Sequence, residues 1–303
     1  MGMGQPKRLR IYLPDGMRQS ASAGEHNFIK RITAAVEAVG YSVEIRPDSG
    51  PERLKSAARR GFSLFHMHDP FHDRALTMRR AYHYPFWGIE PSAKRWEWHV
   101  AQTPFDANRQ HPDAARFVSS WRNRLFPDAT LQDTGHVYVP LQGKLLEQRS
   151  FQAASPLRMI EDTLAHTDRP VVATLHPSEV YEAKEIAALN QLAQCNNRLT
   201  VDTGHMMRWL AGAAYVVTQN SSAAFNGYFF GRPAILYGKV DFHHIALSVR
   251  TDGVAACFEH VEHHAPDFEG YLHWFWQEMS INAGRPDAED KIRAALGRAG
   301  WPL

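Results

Sequence analysis

VVTQNSSAAFNGYFFGRPAILYG, residues 216–238, reads as strand, turn, helix, strand. Residues 215–218 are aromatic and β-branched, and Gln219, Asn220, Ser221 and Ser222 follow with side chains that cap helices rather than continue strands. A helix is predicted to begin at Ser221 or Ser222. Ala223, Ala224, Phe225, Tyr228, Phe229 and Phe230 give it apolar side chains on most sides, as a helix covered by both a sheet and neighbouring helices requires. Gly231 and Pro233 stop it, and residues 234–237 form a second apolar run that a right-handed crossover places parallel to the first. The polar turn between such a strand and helix directs free backbone N–H groups and the positive end of the helix dipole at one place, which suits a phosphate. Capping alone is the simpler reading of an isolated Asn-Ser-Ser.

Working outward, the preceding chain repeats the alternation. Residues 136–141 read as a strand ending in Gln142 and Gly143, 155–166 as a helix capped by Ser155 with Pro156 in its first turn, and 171–175 as a strand running into His176-Pro177. A helix over 182–195, a short strand over 199–201 and a helix over 205–213 lead back to the opening stretch. The first half begins with a similar succession, namely strand 9–13 closed by a turn at Pro14-Asp15-Gly16, helix 25–39, strand 42–45, helix 52–60 and strand 63–67. The pattern then gives way to residues 66–101, rich in rings and charge, which are predicted as loops and short helices over the carboxyl edge of the sheet, where open α/β sheets bind ligands. A helix follows over 114–125, then a domain boundary between 128 and 135. The expected class is α/β: a domain over 1–130, a second over 131–270, and helices in 271–303 free to return to the first.

A chain of 303 residues suits two domains of about 150 each. Its formal charge of +2 shows no excess of cations, so nucleic acid is not an expected partner. Cys195 and Cys257 stand far apart in no ligand spacing, which excludes a disulfide framework and fits a reducing, cytoplasmic setting. No run approaches the roughly 18 apolar residues of a membrane span, and the polar start lacks a signal peptide's apolar centre. Plentiful Arg and Trp leave room for peripheral contact with the inner face of a membrane. Trp87, Trp96 and Trp98 are expected to pack rather than bind.

His66, His68 and Asp69, with His72 and Asp73 close by, have a spacing that could hold a metal, since His-x-His at a strand end puts both rings on one face. That spacing supports a metal-dependent hydrolase as a rival reading. No second motif completes the set, and substrate-facing or packed histidines are the preferred reading. The chain has no Asp-x-Asp, so a metal-held diphosphate is not expected, and neither a metal nor another cofactor is assigned.

Three strand ends of the second half carry polar groups: Pro140-Leu141-Gln142, His176-Pro177 and Asn220-Ser221-Ser222, the last followed by a helix and GRPAILYG. In a parallel sheet they share one edge. This succession resembles the carboxyl-terminal half of capsule polysaccharide glycosyltransferases of the Kdo-transferase type, and its His-Pro and Ser-Ser elements are similar to donor motifs of bacterial sialyltransferases. The resemblance covers about residues 136–247. It implies a GT-B fold, two Rossmann-like domains facing across a cleft, and metal-independent transfer of a sugar from a nucleotide donor, CMP-linked in those enzymes, to a surface polysaccharide or glycolipid. His176 would then meet the donor phosphate, Ser221 and Ser222 with Asn220 would hold it at the helix start, and Gln142 would border the nucleotide. Those enzymes often carry Lys shortly before His-Pro, where this chain has Thr174 and Leu175, and their aromatic segment after the last strand is here KVDFHHIA, in which His243 and His244 either line the pocket or cap a turn.

The chemistry agrees independently, because an imidazole N–H and helix-end amides stabilise the charge that develops on a departing phosphate. An acceptor hydroxyl also needs a base from the first domain, for which Asp69, Glu90 and Asp15 are the candidates. A sugar- or nucleotide-binding protein without catalysis would keep the same fold.

Overall fold

The computed structural model describes residues 6–130 and 134–303. The chain divides into two compact units, one of residues 1–103 and 275–303, the other of 104–274.

In the first unit, strands β1 (Arg8–Leu13), β2 (Ser42–Pro47), β3 (Phe62–His66), β4 (Ala75–Arg80) and β5 (Phe86–Glu90), with the short strand Ile281–Asn282, form one sheet. β2, β1, β3 and β4 run parallel in that order; β5 and Ile281–Asn282 add antiparallel pairs at the edge. Leu9, Ile11, Leu13, Leu64 and Trp87 are buried with Phe28 and Ile32 of the helix Asn27–Glu37 and with Ile292 and Leu296 of the helix Ala288–Arg298. Each such aliphatic side chain is worth about 1.5–3 kcal/mol of burial. Trp87 stacks on Phe28 with ring centroids 4.5 Å apart.

Two expectations fail in this unit. Pro14-Asp15-Gly16 is not a turn: Pro14 caps the helix Asp15–Ser22, whose Met17 and Ala21, four residues apart, pack on the core. Proline at a helix start loses nothing, since its missing N–H would have no partner there. The stretch 66–101 is not only loops and short helices either, because β4 and β5 lie within it. Ala75, Leu76, Thr77 and Met78 form a buried run masked in sequence by Arg79 and Arg80, and β5 is covered on both faces, so it lacks the alternation that marks a half-buried strand. Arg80 is accommodated by an aromatic face, its guanidinium lying 5.5 Å from the Trp87 ring centre. Trp87 and Trp98 are buried as expected of packing residues.

In the second unit β6 (His136–Pro140), β7 (Val171–Leu175), β8 (Leu199–Thr203), β9 (Ala213–Thr218), β10 (Ala234–Leu236) and β11 (Leu247–Ser248) form an all-parallel sheet in the order β11-β10-β9-β6-β7-β8. Val137, Val139, Val171, Ala173, Val217 and Ile235 face a core shared with the helices Pro156–His166, Ala183–Cys195 and Val254–Val261. The opening stretch folds as its sequence reads: Ser221 caps the helix Ser222–Tyr228, and β10 pairs parallel with β9.

The helix Ala114–Leu125 belongs to this second unit, so the division falls at 103/104 rather than between 128 and 135. Aromatic contacts within the unit explain this: Phe117 meets His273 edge to face, and Phe126 packs on Phe229 and Phe230. Both cysteines are free thiols. Among the described residues no helix is long and apolar enough to cross a membrane.

Candidate functional site

β9, β6 and β7 are immediate neighbours, so the three polar strand ends that follow them lie side by side on the carboxyl edge of the second sheet. The ladder continues into the loops. Leu141 N–H donates to the Thr174 carbonyl at 2.8 Å, and the Thr218 hydroxyl donates to the Pro140 carbonyl at 3.1 Å. Beneath the edge, the Tyr138 phenol and Thr174 hydroxyl share a hydrogen bond of 3.0 Å, and burial pushes the phenol pKa up to about 12.

His176 leaves the end of β7 exposed to solvent. Its backbone N–H donates to the Tyr181 hydroxyl at 2.8 Å, and its Nδ1 accepts the Ser178 N–H at 3.2 Å. An Nδ1 that accepts leaves the proton of the neutral ring on Nε2, so His176 presents an outward N–H donor in a fixed orientation.

Gln142 stands one strand away with its Oε1 buried and unpartnered. A buried carbonyl without a donor is costly and marks a place where a ligand group or water would bind. The next residue, Gly143, lets the two loops approach, for a Cβ there would lie 2.6 Å from Glu179 Oε2. Glu185, buried in the first turn of the helix after β7, accepts the Leu145 amide and, at 2.8 Å, the Glu182 amide. The loop after β6 is thereby fastened to the helix after β7.

On the other side of β6, Ser221 Oγ accepts the Ala223 N–H at 3.3 Å, and Ser222 is exposed in the first turn. Asn220 is partly buried beside the Lys239 carbonyl. The turn is rigid from below: buried Gln219 donates to the Ala154 carbonyl at 3.1 Å, and Gly238 N–H donates to the Gln219 carbonyl at 2.8 Å. Gly238 has no room for a side chain, since a Cβ would meet that carbonyl oxygen at 2.8 Å.

His243 and His244 follow β10 and stack on each other with centroids 4.3 Å apart. His243 Nδ1 bonds the Val240 carbonyl at 2.9 Å while the ring stays exposed; His244 bonds the Tyr271 hydroxyl at 3.0 Å and meets Trp274 edge to face. His244 is thus engaged in packing, and His243 is the more exposed of the pair.

One group on this rim escaped the sequence reading. Asp202, near the end of β8, accepts Trp209 Nε1–H at 2.8 Å, the Thr203 N–H at 2.8 Å and His205 Nδ1–H at 3.1 Å, and these bonds, the indole's first, hold its carboxyl below the usual range. An aspartate three residues before a histidine at a strand end was the available signal.

In the first unit the three base candidates occupy different surroundings. Asp15 is exposed in the first turn of its helix and pairs with Arg18 at 3.0 Å. Asp69 Oδ1 accepts the Ala93 N–H at 2.7 Å and the Ser92 hydroxyl at 3.3 Å, joining two loops. Glu90 is buried and accepts the His99 N–H at 3.1 Å, at the start of the helix His99–Gln102. Asp69 and Glu90 therefore hold backbone in place. His66, His68 and Asp69 bring no three ligand atoms together, since Asp69 turns to residues 92 and 93 while His68 turns to Asp48 at 3.1 Å. That divergence removes the support for a metal-dependent hydrolase built on them.

No protein-family model matches the sequence, and no curated protein matches it. Among solved structures the chain is similar to KpsC of Thermosulfurimonas dismutans, a beta Kdo 2,7 transferase, with a TM-score of 0.56 at 13% identity over 97% of this chain and 100% of that one. A looser match is the UDP-GlcNAc 2-epimerase of Methanocaldococcus jannaschii in complex with UDP-GlcNAc and UDP, at a TM-score of 0.39 and 9% identity over 96% of this chain and 99% of that one. The first establishes the fold: two Rossmann-like α/β units of GT-B type.

Proposed function

We propose that the chain is a glycosyltransferase whose second unit holds a nucleotide sugar, with a cytidine monophosphate as the leaving group and a polysaccharide or glycolipid as acceptor. The observation that carries this reading is the convergence of the exposed His176 N–H, the unpartnered Gln142 Oε1 and the Asn220-Ser221-Ser222 turn on three adjacent strand ends. When the bond between anomeric carbon and phosphate oxygen breaks, the electron pair departs with the phosphate. In this reading His176 Nε2–H and the amides at Ser221 and Ser222 stabilise that charge as it develops. The Gln142 carbonyl accepts a hydrogen bond from the nucleotide, such as one from a cytosine amino group or a ribose hydroxyl. The reaction so described needs no metal.

Calorimetric titration of CMP and UDP, followed by their sugar conjugates, tests the proposal. Binding of CMP that weakens on His176→Ala, with release of CMP from a CMP-sugar, is the expected result. Absence of heat or turnover with every nucleotide would overturn it.

A further inference from the structure

The loop that leaves β8 carries a second imidazole beside His176, and it presents the opposite polarity. Thr174 and Leu175 of β7 lie in register with Asp202 and Thr203 of β8, and the Gly204 N–H extends the ladder to the Leu175 carbonyl at 3.0 Å. His176 follows Leu175 and His205 follows Gly204, so the two histidines flank one backbone hydrogen bond on the carboxyl edge of the second sheet.

His205 is oriented from below. Its Nδ1 shares a hydrogen bond of 3.1 Å with Asp202 Oδ2, and the same carboxylate accepts Trp209 Nε1–H and the Thr203 N–H, each at 2.8 Å. These bonds, the indole's first, hold the Asp202 carboxyl below its usual range, so it is an anion and can only accept. The proton of the neutral imidazole is therefore on Nδ1, and Nε2 keeps its lone pair. Nε2 has no hydrogen-bond partner among the described residues. The His205 side chain is 63% exposed and that of Asp202 28%. Trp209, on the helix Met206–Gly212, is fixed in turn: its carbonyl bonds the buried His136 at 2.8 Å, and its indole meets that imidazole edge to face.

The backbone holds the same orientation. Gly204 and His205 are both left-handed, with φ 70° and 52°. Glycine adopts this conformation freely, whereas a histidine does so at a cost, and residues held this way gather where a site dictates geometry. Helix capping does not account for the choice, since His205 stands at the N-cap of Met206–Gly212 without a side-chain bond to its amides.

Neighbouring strand ends thus offer an N–H at His176 and a lone pair at His205. A phosphate oxygen needs the first and is repelled by the second, while a hydroxyl hydrogen needs the second. A nucleotide sugar supplies both within a few bonds, because its phosphate joins a ribose to the sugar that is transferred. We propose that His205, oriented by Asp202, accepts a hydrogen bond from a sugar hydroxyl adjoining the donor phosphate. The inference rests on the donor-site reading and adds a specificity residue to that site. Asp202 is a positioning residue.

The test is calorimetric titration of the full chain with CMP, its 2′-deoxy and 3′-deoxy analogues, CMP-Kdo and CMP-N-acetylneuraminate, for wild type, His205→Asn, Asp202→Asn and the double variant. Asparagine tolerates the left-handed backbone but ends short of the imidazole Nε2, so the loop keeps its path while the acceptor is lost. The expected result is a loss of about 3- to 10-fold in affinity by His205→Asn, confined to ligands that carry one particular hydroxyl, with a similar loss by Asp202→Asn and no further loss in the double variant. The readout is the ratio between ligands, which a general weakening of the fold leaves unmoved. Loss with CMP but not with one deoxy analogue assigns the hydroxyl to the ribose, and loss with the CMP-sugars alone assigns it to the transferred sugar. Equal loss with every ligand makes His205 a loop residue, and undiminished binding of every ligand makes the pair a tie between β8 and the helix after it. Either overturns the inference, while the donor-site reading, tested by His176→Ala, survives. Failure of the wild type to bind any of these ligands removes the donor-site reading and this inference together.

Discussion

The carboxylate of Glu185 accepts the backbone amide of Leu145, 40 residues earlier, and so ties the loop after β6 to the helix after β7. Gln142 and His176 sit on the two segments this bond joins. Glu185→Ala would leave the Leu145 amide buried without an acceptor and open the reciprocal cap at Glu182. The expected cost is about 2–3 kcal/mol, because hydrogen bonds to a buried carboxylate exceed ordinary ones. For a unit of this size that lowers the melting midpoint by roughly 5–10 °C, measurable by calorimetry, and CMP affinity falls with it.

Individual donors of the rim should contribute unequally. Under the proposed donor-site reading, His176→Ala removes a charge-assisted hydrogen bond to phosphate worth about 1.5–3 kcal/mol, so CMP affinity is expected to drop roughly 10- to 100-fold with little change in stability, the side chain being exposed. Ser221→Ala removes the cap of the Ser222–Tyr228 helix and costs about 1 kcal/mol of stability as well as affinity. Titration and denaturant unfolding of the two variants separate these effects.

Gly238→Ala is a sharper probe of the turn. Its Cβ would press on the Gln219 carbonyl oxygen at 2.8 Å and carbon at 3.1 Å, both backbone atoms that cannot rotate away. The expected outcome is a loss of about 1–3 kcal/mol together with weakened nucleotide binding, because Gln219 leads directly into Asn220 and Ser221. Unchanged binding would separate the turn from the site.

Acid should weaken the second unit through His136. The ring is buried between the Thr134 hydroxyl at 2.7 Å and the Trp209 carbonyl at 2.8 Å, and desolvation lowers its pKa from the ordinary 6.5, with Arg232 adding to the shift and the carbonyl opposing it. The unfolded chain then binds a proton that the folded one refuses, so stability is complete above about pH 6.5 and declines as pH falls from there toward the depressed value. Urea unfolding at pH 7.5 and 5 should show the difference, and His136→Gln should reduce it. His26, His66, His72 and His99 are depressed by burial in the first unit and add a slope of the same sign.

The second unit was legible because three of its strand runs end in residues that break them: Gln142 after Leu141, His176-Pro177 after Leu175, Gln219-Asn220 after Thr218. Such polar residues at the close of parallel strands point to one edge whatever the distance between them along the chain. β4 and β5 were not legible because Arg79, Arg80 and the rings of β5 hide the strand pattern under charge and two-sided burial. The pairing of His68 with Asp48 was hidden for a different reason. Spacing alone favoured His66, His68 and Asp69, whereas the partner came from the loop after β2, joined through sheet order rather than sequence. Glu185 read only as a residue of the helix over 182–195, since nothing local shows that its carboxylate turns back to Leu145.

The first unit is assembled from both ends of the chain: the helix Ala288–Arg298 seats Ile292 and Leu296 against Phe28 and Ile32, and Trp301 lies against Phe62 with ring centroids 4.7 Å apart. During synthesis its strands β1 to β5 leave the ribosome before the second unit yet cannot close their core until residues 288–301 follow. The second unit, wholly encoded in between, has every residue it needs beforehand. A nascent chain therefore carries an unfinished apolar surface until those residues emerge, and a stall before residue 288 would yield one mature unit and one that quality control recognises as incomplete.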